Sequence, residues 1–393
     1  MSFGPFSLPF FGLTDGHPDR SRPRFIESAI RIVEVPVASS SISQWLTGLF
    51  GIDWPIIQAP MAGTSTPEMA AAVSNAGGLG SIGVGAVTPA VAGEAIRAFR
   101  ARSGRSLNVN LFCHRPAKAD HAREAQWLER LRPEFEKVNA RPPASIGESY
   151  KSFVDDERMF STLLETKPKV VSFHFGLPSG AWICALREAG IVLLGTATSL
   201  EEARALVVAG VHAVVAQGHE AGGHRGIFDP DAQDDQLGTL ALTRLLARKL
   251  NVPVIAAGGI MDGQGIAAAL RLGAGAAQLG TAFIASEESA ADEAYRAALF
   301  SDAANHTVMT RAISGRPARC LANRFTALGA PVSASDIPCY PIAYDAGKAL
   351  NAAAKAVGET GYGAQWAGQG APLARSLPAG KLVATLVDEL NRV

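Results

Sequence analysis

The chain has 393 residues, of which 48% are apolar and 18% charged, and its 36 basic and 36 acidic side chains give a formal net charge of zero. That length allows one large domain or two smaller ones, and the composition suits a large buried core. Because nucleic-acid binding needs a basic surface, the balanced charge argues against such a partner. Residues 69–93 are uncharged but contain six glycines and a proline, so we expect no membrane span.

Residues 1–41 differ in composition from the rest. The opening MSFGPFSLPFFGL is rich in Phe and Pro and has no charged segment before an apolar run, unlike a secretory leader. We predict a flexible N-terminal arm with no catalytic role, and a translation start placed too far upstream is the alternative explanation of this segment. The four cysteines are far apart and form no C-x-x-C pair. Free thiols in a cytoplasmic protein are therefore expected.

A unit of helix end, glycine and short apolar strand recurs along the chain, at 71–83, 185–196, 205–218 and 269–281. Glycine relieves the left-handed turn at a helix end, and the apolar run that follows is too short for another helix. Continuous apolar strands that alternate with helices indicate a parallel sheet covered on both faces.

Eight such strands are predicted, at 55–59, 79–83, 106–111, 169–174, 191–195, 213–217, 253–257 and 275–279. Helix starts support this pattern, for example the capping box predicted at Ser199–Glu202. Eight strands with intervening helices favour a closed (β/α)8 TIM barrel over residues 42–283. The long gap at about 112–166 predicts an insertion after strand three. Residues 284–393 are predicted as a C-terminal helical region that covers the active site.

Functional residues of such barrels gather at the carboxyl ends of the strands. There IAAGGI (255–260) and QLGT (278–281) resemble a phosphate-binding pair of loops, although either could be a tight turn alone. A different pattern, GLGSIG at 78–83, matches the dinucleotide fingerprint G-x-G-x-x-G. That fingerprint follows a strand and opens a helix, whereas this segment contains the strand, so we reject it.

The segment QGHEAGGHRG, residues 217–226, follows the sixth strand. Its H-E-x-x-x-H spacing and paired glycines do not fit a helical zinc site, so no metal is expected. A histidine at a strand end beside a phosphate loop, with an ordinary pKa near 6.5, can accept a proton or stabilise an anion. His224 is the first candidate. His174 ends the fourth strand and is the second, with a buried structural role equally open.

From about Trp45 to its C-terminus the sequence resembles the nitronate monooxygenase family, through WPIIQAPMAG (54–63), AGGHRG (221–226) and the AAGG and QLGT loops. The resemblance implies an FMN cofactor and matches His224 to the family's catalytic histidine. Together with the glycine loops, it predicts these FMN contacts: Pro60, Met61, Asn110, Gln217, Gly222, Gly258, Gly259, Gln278, Leu279, Gly280 and Thr281.

A second set resembles the class I enzymes of that family, which accept propionate 3-nitronate. It comprises Tyr150, Tyr295, Tyr340, Tyr344 and Lys348, and these residues together with the strand-end His174 are the predicted substrate-binding residues. Phenols and an ammonium can form a wall that recognises an anion. The spacing of Tyr340, Tyr344 and Lys348 also fits residues that merely pack along one helix face.

The resemblance implies that alkyl nitronates are oxidised by O2 to carbonyl compounds and nitrite. It leaves open whether His224 is a base or an anion stabiliser. One alternative is an FMN-dependent NAD(P)H:quinone or enoyl-thioester reductase on the same barrel, and another is a flavin-binding protein without turnover. The expected partners are a small-molecule nitronate and O2, with no nucleic acid and no membrane, in a monomer or homodimer.

Overall fold

Eight parallel strands form the central sheet of the computed structural model, which describes residues 39–393. They are β1 Ile56–Gln58, β2 Gly80–Gly83, β3 Leu107–Phe112, β4 Val170–His174, β5 Val192–Ala197, β6 Ala213–Gln217, β8 Val254–Ala257 and β9 Ala276–Leu279. Their order is β1-β9-β8-β6-β5-β4-β3-β2. A parallel bridge between Ile57 and Leu79 then joins β1 to β2. The predicted (β/α)8 barrel is thereby confirmed.

Three short strands form a second, antiparallel sheet in the order β10-β11-β7. They are β7 Gly223–His224, β10 Thr307–Thr310 and β11 Ala318–Leu321. The region after residue 284, predicted as helical, therefore contains two strands as well. Strand β11 pairs with β10 on one side and, on the other, with β7 in the glycine-rich segment that follows β6.

The described residues also contain fourteen α-helices. They are α1 Ser39–Phe50, α2 Pro67–Asn75, α3 Pro89–Arg100, α4 His121–Lys137, α5 Glu157–Thr166, α6 Gly180–Glu188, α7 Leu200–Ala209, α8 Thr239–Lys249, α9 Gly263–Arg271, α10 Thr281–Ile284, α11 Glu293–Leu299, α12 Arg324–Gly329, α13 Ile342–Ala356 and α14 Ala379–Leu390. None of these helices is both long and apolar enough to cross a bilayer. The predicted arm lies outside the described residues, except for 39–41, which begin α1.

Helix α7 begins with half of the predicted capping box. Ser199 Oγ accepts the backbone N–H of Glu202 at 3.2 Å, as expected for an N-cap. The Glu202 carboxylate does not return to Ser199. It accepts the backbone N–H groups of Thr198 at 2.6 Å and Phe228 at 2.7 Å. Through these hydrogen bonds Glu202 connects the segment after β7 to the loop that precedes α7.

Helix α1 covers the amino-terminal end of the barrel. Its Leu46 and Phe50 belong to one buried cluster with Val170, Val192 and Ala213. Those three residues are the first residues of β4, β5 and β6, respectively. Since that end of the barrel is closed by apolar packing, the carboxyl ends of the strands are the end left for a site.

The last helix of the chain completes the outer ring of the barrel. Helix α14 packs against α2 and α9. Its Leu382 and Leu386 are fully buried in a cluster that also holds Ile56 and Ile266. Helix α10, which follows β9, is only four residues long, and α14 packs in the outer ring next to α9 and α2. The final part of the predicted C-terminal covering region thus belongs to the barrel wall.

A second hydrophobic layer joins the insertion after β3 to the tail. Helix α4 packs against α13. Trp127 and Phe135 on α4 share a buried cluster with Phe325 of α12 and Leu350 of α13. This layer places the start of α13 beside the insertion, at the carboxyl ends of the barrel strands.

Candidate active site

A cavity of about 370 Å³ lies at the carboxyl ends of the barrel strands. Every site residue predicted from the sequence lines it, except Leu279 and Tyr340. The lining members of the predicted set are Pro60, Met61, Asn110, Tyr150, His174, Gln217, Gly222, His224, Gly258, Gly259, Gln278, Gly280, Thr281, Tyr295, Tyr344 and Lys348. Segments from all parts of the described chain thus converge on one site.

Leu279 does not line the cavity. It is 1% exposed and packs in the cluster that holds Val73 and Phe283. Successive residues of a strand face opposite sides, and the preceding Gln278 is the one that lines the cavity. A side-chain contact between Leu279 and a cofactor in the cavity is therefore excluded by the strand's orientation.

Tyr340 lies behind the cavity wall. It is 6% exposed and precedes α13, so it does not share a helix face with Tyr344 and Lys348 as the spacing predicted. Its hydroxyl accepts a hydrogen bond from Tyr150, with the two oxygens 2.6 Å apart. Its ring centroid lies 5.3 Å from that of His224. Tyr340 therefore contacts the site through two residues that line it.

Side-chain hydrogen bonds hold His224 and its strand in place, and one of them joins His174 Nε2 to the His224 carbonyl oxygen at 3.2 Å. The carbonyl oxygen of His224 accepts a bond from Gln217 Nε2 at 3.0 Å. Oxygen Oε1 of the same Gln217 accepts the backbone N–H of Gly226 at 2.7 Å. The His224 Nε2 atom lies 2.9 Å from Ser314 Oγ. The amide of Gln217 is thus engaged by the histidine segment itself.

Burial keeps the histidines of the site neutral. Loss of hydration lowers the pKa of His224 well below its usual value, and the nearby His174, Arg316 and His114 add to that shift. Loss of hydration also lowers the pKa of His174 to about 4. Near pH 7 the His224 imidazole is therefore uncharged, which is the form that can accept a proton.

Glycines at neighbouring strand ends line the cavity, and we call the set of Gly222, Gly258, Gly259 and Gly280 the glycine cradle. Gly258 and Gly259 after β8 have φ values of +124° and +70°, which turn the backbone in a way that side chains with a Cβ rarely allow. Among residues 39–393, the backbone N–H groups of Gly222, Gly259 and Gly280 have no acceptor. Unpaired backbone donors around one cavity fit an anion such as a phosphate group.

One cation and several aromatic rings also line the cavity. Of the described residues that line the cavity, Lys348 alone carries a formal charge, and none is a carboxylate. Its ammonium lies 4.8 Å from the ring centroid of Tyr344 and 5.1 Å from that of Tyr150. Trp366, which also lines the cavity, lies 5.0 Å from His224 between ring centroids. The wall favours an anionic ligand.

Sequence reasoning missed Ser314, Arg316 and Trp366. Arg316 is 2% exposed, and its guanidinium carbon lies 4.1 Å from the ring centroid of Phe175. It donates to the carbonyl oxygens of Ile227 and Phe228. The sole sequence signal was a pair of arginines in the Gly- and Pro-containing segment SGRPAR. Ser314 is 90 residues from His224, so no local spacing links the two.

A closed barrel with its amino-terminal end packed and a cavity at its strand ends defines a (β/α)8-barrel enzyme with a small-molecule site. The sequence model of the family described as nitronate monooxygenase matches residues 43–389. The chain therefore belongs to the nitronate monooxygenase family, which the motifs in the sequence indicated. By that membership it is an oxidoreductase, and nitronate oxidation is its general activity.

Known relatives cover nearly the same region. Nitronate monooxygenase of Paraburkholderia phytofirmans is 63% identical over 347 residues, which are 88% of this chain and 95% of the relative. That of Pseudomonas aeruginosa is 53% identical, covering 88% and 98%. A structure of nitroalkane oxidase from Streptomyces ansochromogenes is 41% identical with a TM-score of 0.79, covering 88% and 98%. A structure of FabK from Thermotoga maritima is 30% identical with a TM-score of 0.66, covering 88% and 96%.

Proposed function

We propose that the enzyme uses FMN to oxidise alkyl nitronates, including propionate 3-nitronate, with O2 to carbonyl compounds and nitrite. The observation that carries this proposal is the charge pattern of the cavity. Its lining holds one ammonium, at Lys348, and no carboxylate among the described residues. A nitronate is an anion, and propionate 3-nitronate carries a second negative charge on its carboxylate.

In the proposed FMN site, the glycine cradle would bind the phosphate and other lining residues would contact the ring system. The backbone N–H groups of Gly222, Gly259 and Gly280 would hold the phosphate, because they lack acceptors within residues 39–393. The region of the cavity that would receive the ring system is lined by Pro60, Met61 and Gln278. When bound, FMN would supply the redox chemistry, namely the transfer of electrons from the substrate to O2.

The remaining steps belong to side chains of this chain. Lys348 attracts the anion, and the rings of Tyr150 and Tyr344 beside its ammonium orient it. The uncharged His224 accepts the α-proton when the substrate enters as a neutral nitroalkane. A substrate that enters already ionised needs no base, and His224 then only stabilises the bound anion.

Oxygen consumption with propionate 3-nitronate, measured with and without NADH, tests this function. We expect uptake without a nicotinamide, because the nitronate supplies its own electrons. Rapid NADH or NADPH oxidation with no uptake on any nitronate would instead establish the alternative reductase. Bound flavin with neither activity would indicate a non-catalytic flavin-binding protein.

A second measurement tests the cofactor. Heat-denatured protein should release FMN, which chromatography separates from FAD. The glycine cradle offers donors for one phosphate. The only G-x-G-x-x-G pattern in the sequence, residues 78–83, holds strand β2 rather than opening a helix. Recovery of FAD, or of no flavin, would refute the assignment.

A further inference from the structure

Ser314 is the residue that hydrogen-bonds the ring of His224. It lies between β10 and β11, and β11 pairs with the strand that carries His224. Ser314 is 1% exposed, and its Oγ is 2.9 Å from His224 Nε2. A hydroxyl can donate one hydrogen bond and accept others, so the direction of this bond depends on where the hydroxyl hydrogen points.

The carbonyl oxygen of Arg316 settles that direction. Ser314 Oγ lies 3.2 Å from it, and no other donor reaches this oxygen within residues 39–393. Arg316 is 2% exposed, so its carbonyl has little access to water. If the hydroxyl turned its proton to His224, a buried carbonyl would lose its partner. If the hydroxyl instead donates to this carbonyl, His224 Nε2–H donates to Oγ, and both the carbonyl and the imidazole N–H have a partner.

We propose that Ser314 is a positioning residue that holds the His224 imidazole as the Nε2–H tautomer and leaves Nδ1 unprotonated towards the cavity. Nδ1 makes no hydrogen bond to the described residues and is not among their buried unpartnered atoms. A neutral nitroalkane then transfers its α-proton to Nδ1. The electron pair of the broken C–H bond stays on the substrate as the nitronate, while Nε2–H keeps its bond to Ser314. This step rests on the proposed function, whereas the tautomer does not.

Nitrogen NMR of histidine-labelled protein tests the tautomer without any turnover. Among the eight histidines, the His224 signals are those lost in His224→Asn. In the wild type at pH 7.5 we expect a protonated Nε2 and an unprotonated Nδ1. Ser314→Ala should shift this ratio towards the Nδ1–H form, and Ser314→Thr should restore it. A wild-type Nδ1–H tautomer, or a ratio unaffected by Ser314→Ala, would overturn the proposal.

Kinetics separate positioning from a structural role. For Ser314→Ala, kcat/KM should fall about tenfold further with nitroethane than with ethyl nitronate, since only nitroethane needs proton removal. Equal losses on both substrates would refute the positioning role, and no turnover of nitroethane by the wild type would refute proton transfer to Nδ1. Failure to oxidise either substrate would instead refute the proposed function, and the NMR result would still decide the tautomer.

Discussion

The hydroxyl oxygens of Tyr150 and Tyr340 lie 2.6 Å apart, although the two residues are 190 positions apart in the chain. This bond joins the insertion after β3 to the tail before α13. Tyr150 also lies beside the Lys348 ammonium. A buried residue outside the cavity, Tyr340, therefore sets the position of the wall that we propose reads the substrate.

Tyr340→Phe should raise the KM for propionate 3-nitronate about threefold to tenfold while kcat and FMN content stay near wild type. The variant loses one neutral hydrogen bond, worth about 0.5–1.5 kcal/mol, and Tyr150 loses its anchor. Steady-state oxygen uptake measures both constants. Tyr362→Phe is the control, because Tyr362 is buried in the layer of α4 and α13 and does not line the cavity. An unchanged KM in Tyr340→Phe would contradict the expectation.

Lys348→Met should lower kcat/KM for propionate 3-nitronate about tenfold. That is the low end for a bond to a charged group, because Lys348 is exposed and water screens its charge. Lys355→Met is the matched control on the same helix. Lys355 pairs with Asp292 at 2.5 Å and does not line the cavity. A smaller loss with a nitronate that lacks the carboxylate would show that Lys348 binds that carboxylate.

Gly222→Ala should weaken FMN binding at least about tenfold, which corresponds to roughly 1.4 kcal/mol. A Cβ on Gly222 would lie 2.5 Å from the backbone nitrogen of Gly368, so the loop that offers its N–H must move. Flavin fluorescence during titration of the apoprotein measures the affinity. At Gly147 an added Cβ meets nothing within 4 Å, so Gly147→Ala should bind FMN normally. Equal affinities in the two variants would remove Gly222 from the cradle.

His224→Asn should keep FMN bound and slow the turnover of neutral nitroalkanes roughly 10²- to 10⁴-fold, the usual contribution of a general base. Because burial lowers the pKa of His224, the base stays unprotonated below pH 6.5. The wild-type kcat/KM for a nitroalkane should therefore show no loss between pH 7.5 and 6.5. The exposed His306 provides the control, His306→Asn. An acid limb centred at pH 6.5 would contradict this burial effect.

His114 should make folding stability depend on pH. Burial, with a smaller effect of Arg316, lowers its pKa to about 3, and neither ring nitrogen has a partner among the described residues. The unfolded chain takes up this proton below pH 6.5 and the folded chain does not, so stability falls with acidification from 6.5 towards 3. The loss from His114 is about 2 kcal/mol at pH 5.

In His114→Phe the unfolded chain no longer takes up this proton. A phenyl ring also fits the aromatic surroundings formed by Tyr150, Phe175 and Tyr340. Denaturant unfolding at pH 7 and pH 5 should show a difference in free energy smaller by about 2 kcal/mol than in the wild type. A difference as large as that of the wild type would show that His114 is protonated in the folded enzyme.

The barrel was predictable because its signals are local. Apolar runs between glycine-terminated helices placed all eight barrel strands within two residues of their observed ends. Parallel strands bring their carboxyl ends to one edge, so the residues that follow them share a site wherever the loops go. Asn110, Gln217 and Gly259, which lie at or just beyond those ends, could therefore be assigned to one cavity from the order of the predicted strands.

Contacts between distant segments were decided by tertiary structure alone. The partners Ser314 and His224 are 90 residues apart, and no periodicity encodes a hydrogen bond across that distance. The orientation of Leu279 away from the cavity follows from the register of β9 in the closed barrel, which neither glycine nor apolar patterns specify. The lowered pKa of His224 has the same origin, because its largest cause is loss of hydration, and hydration is lost only when segments distant in sequence pack together.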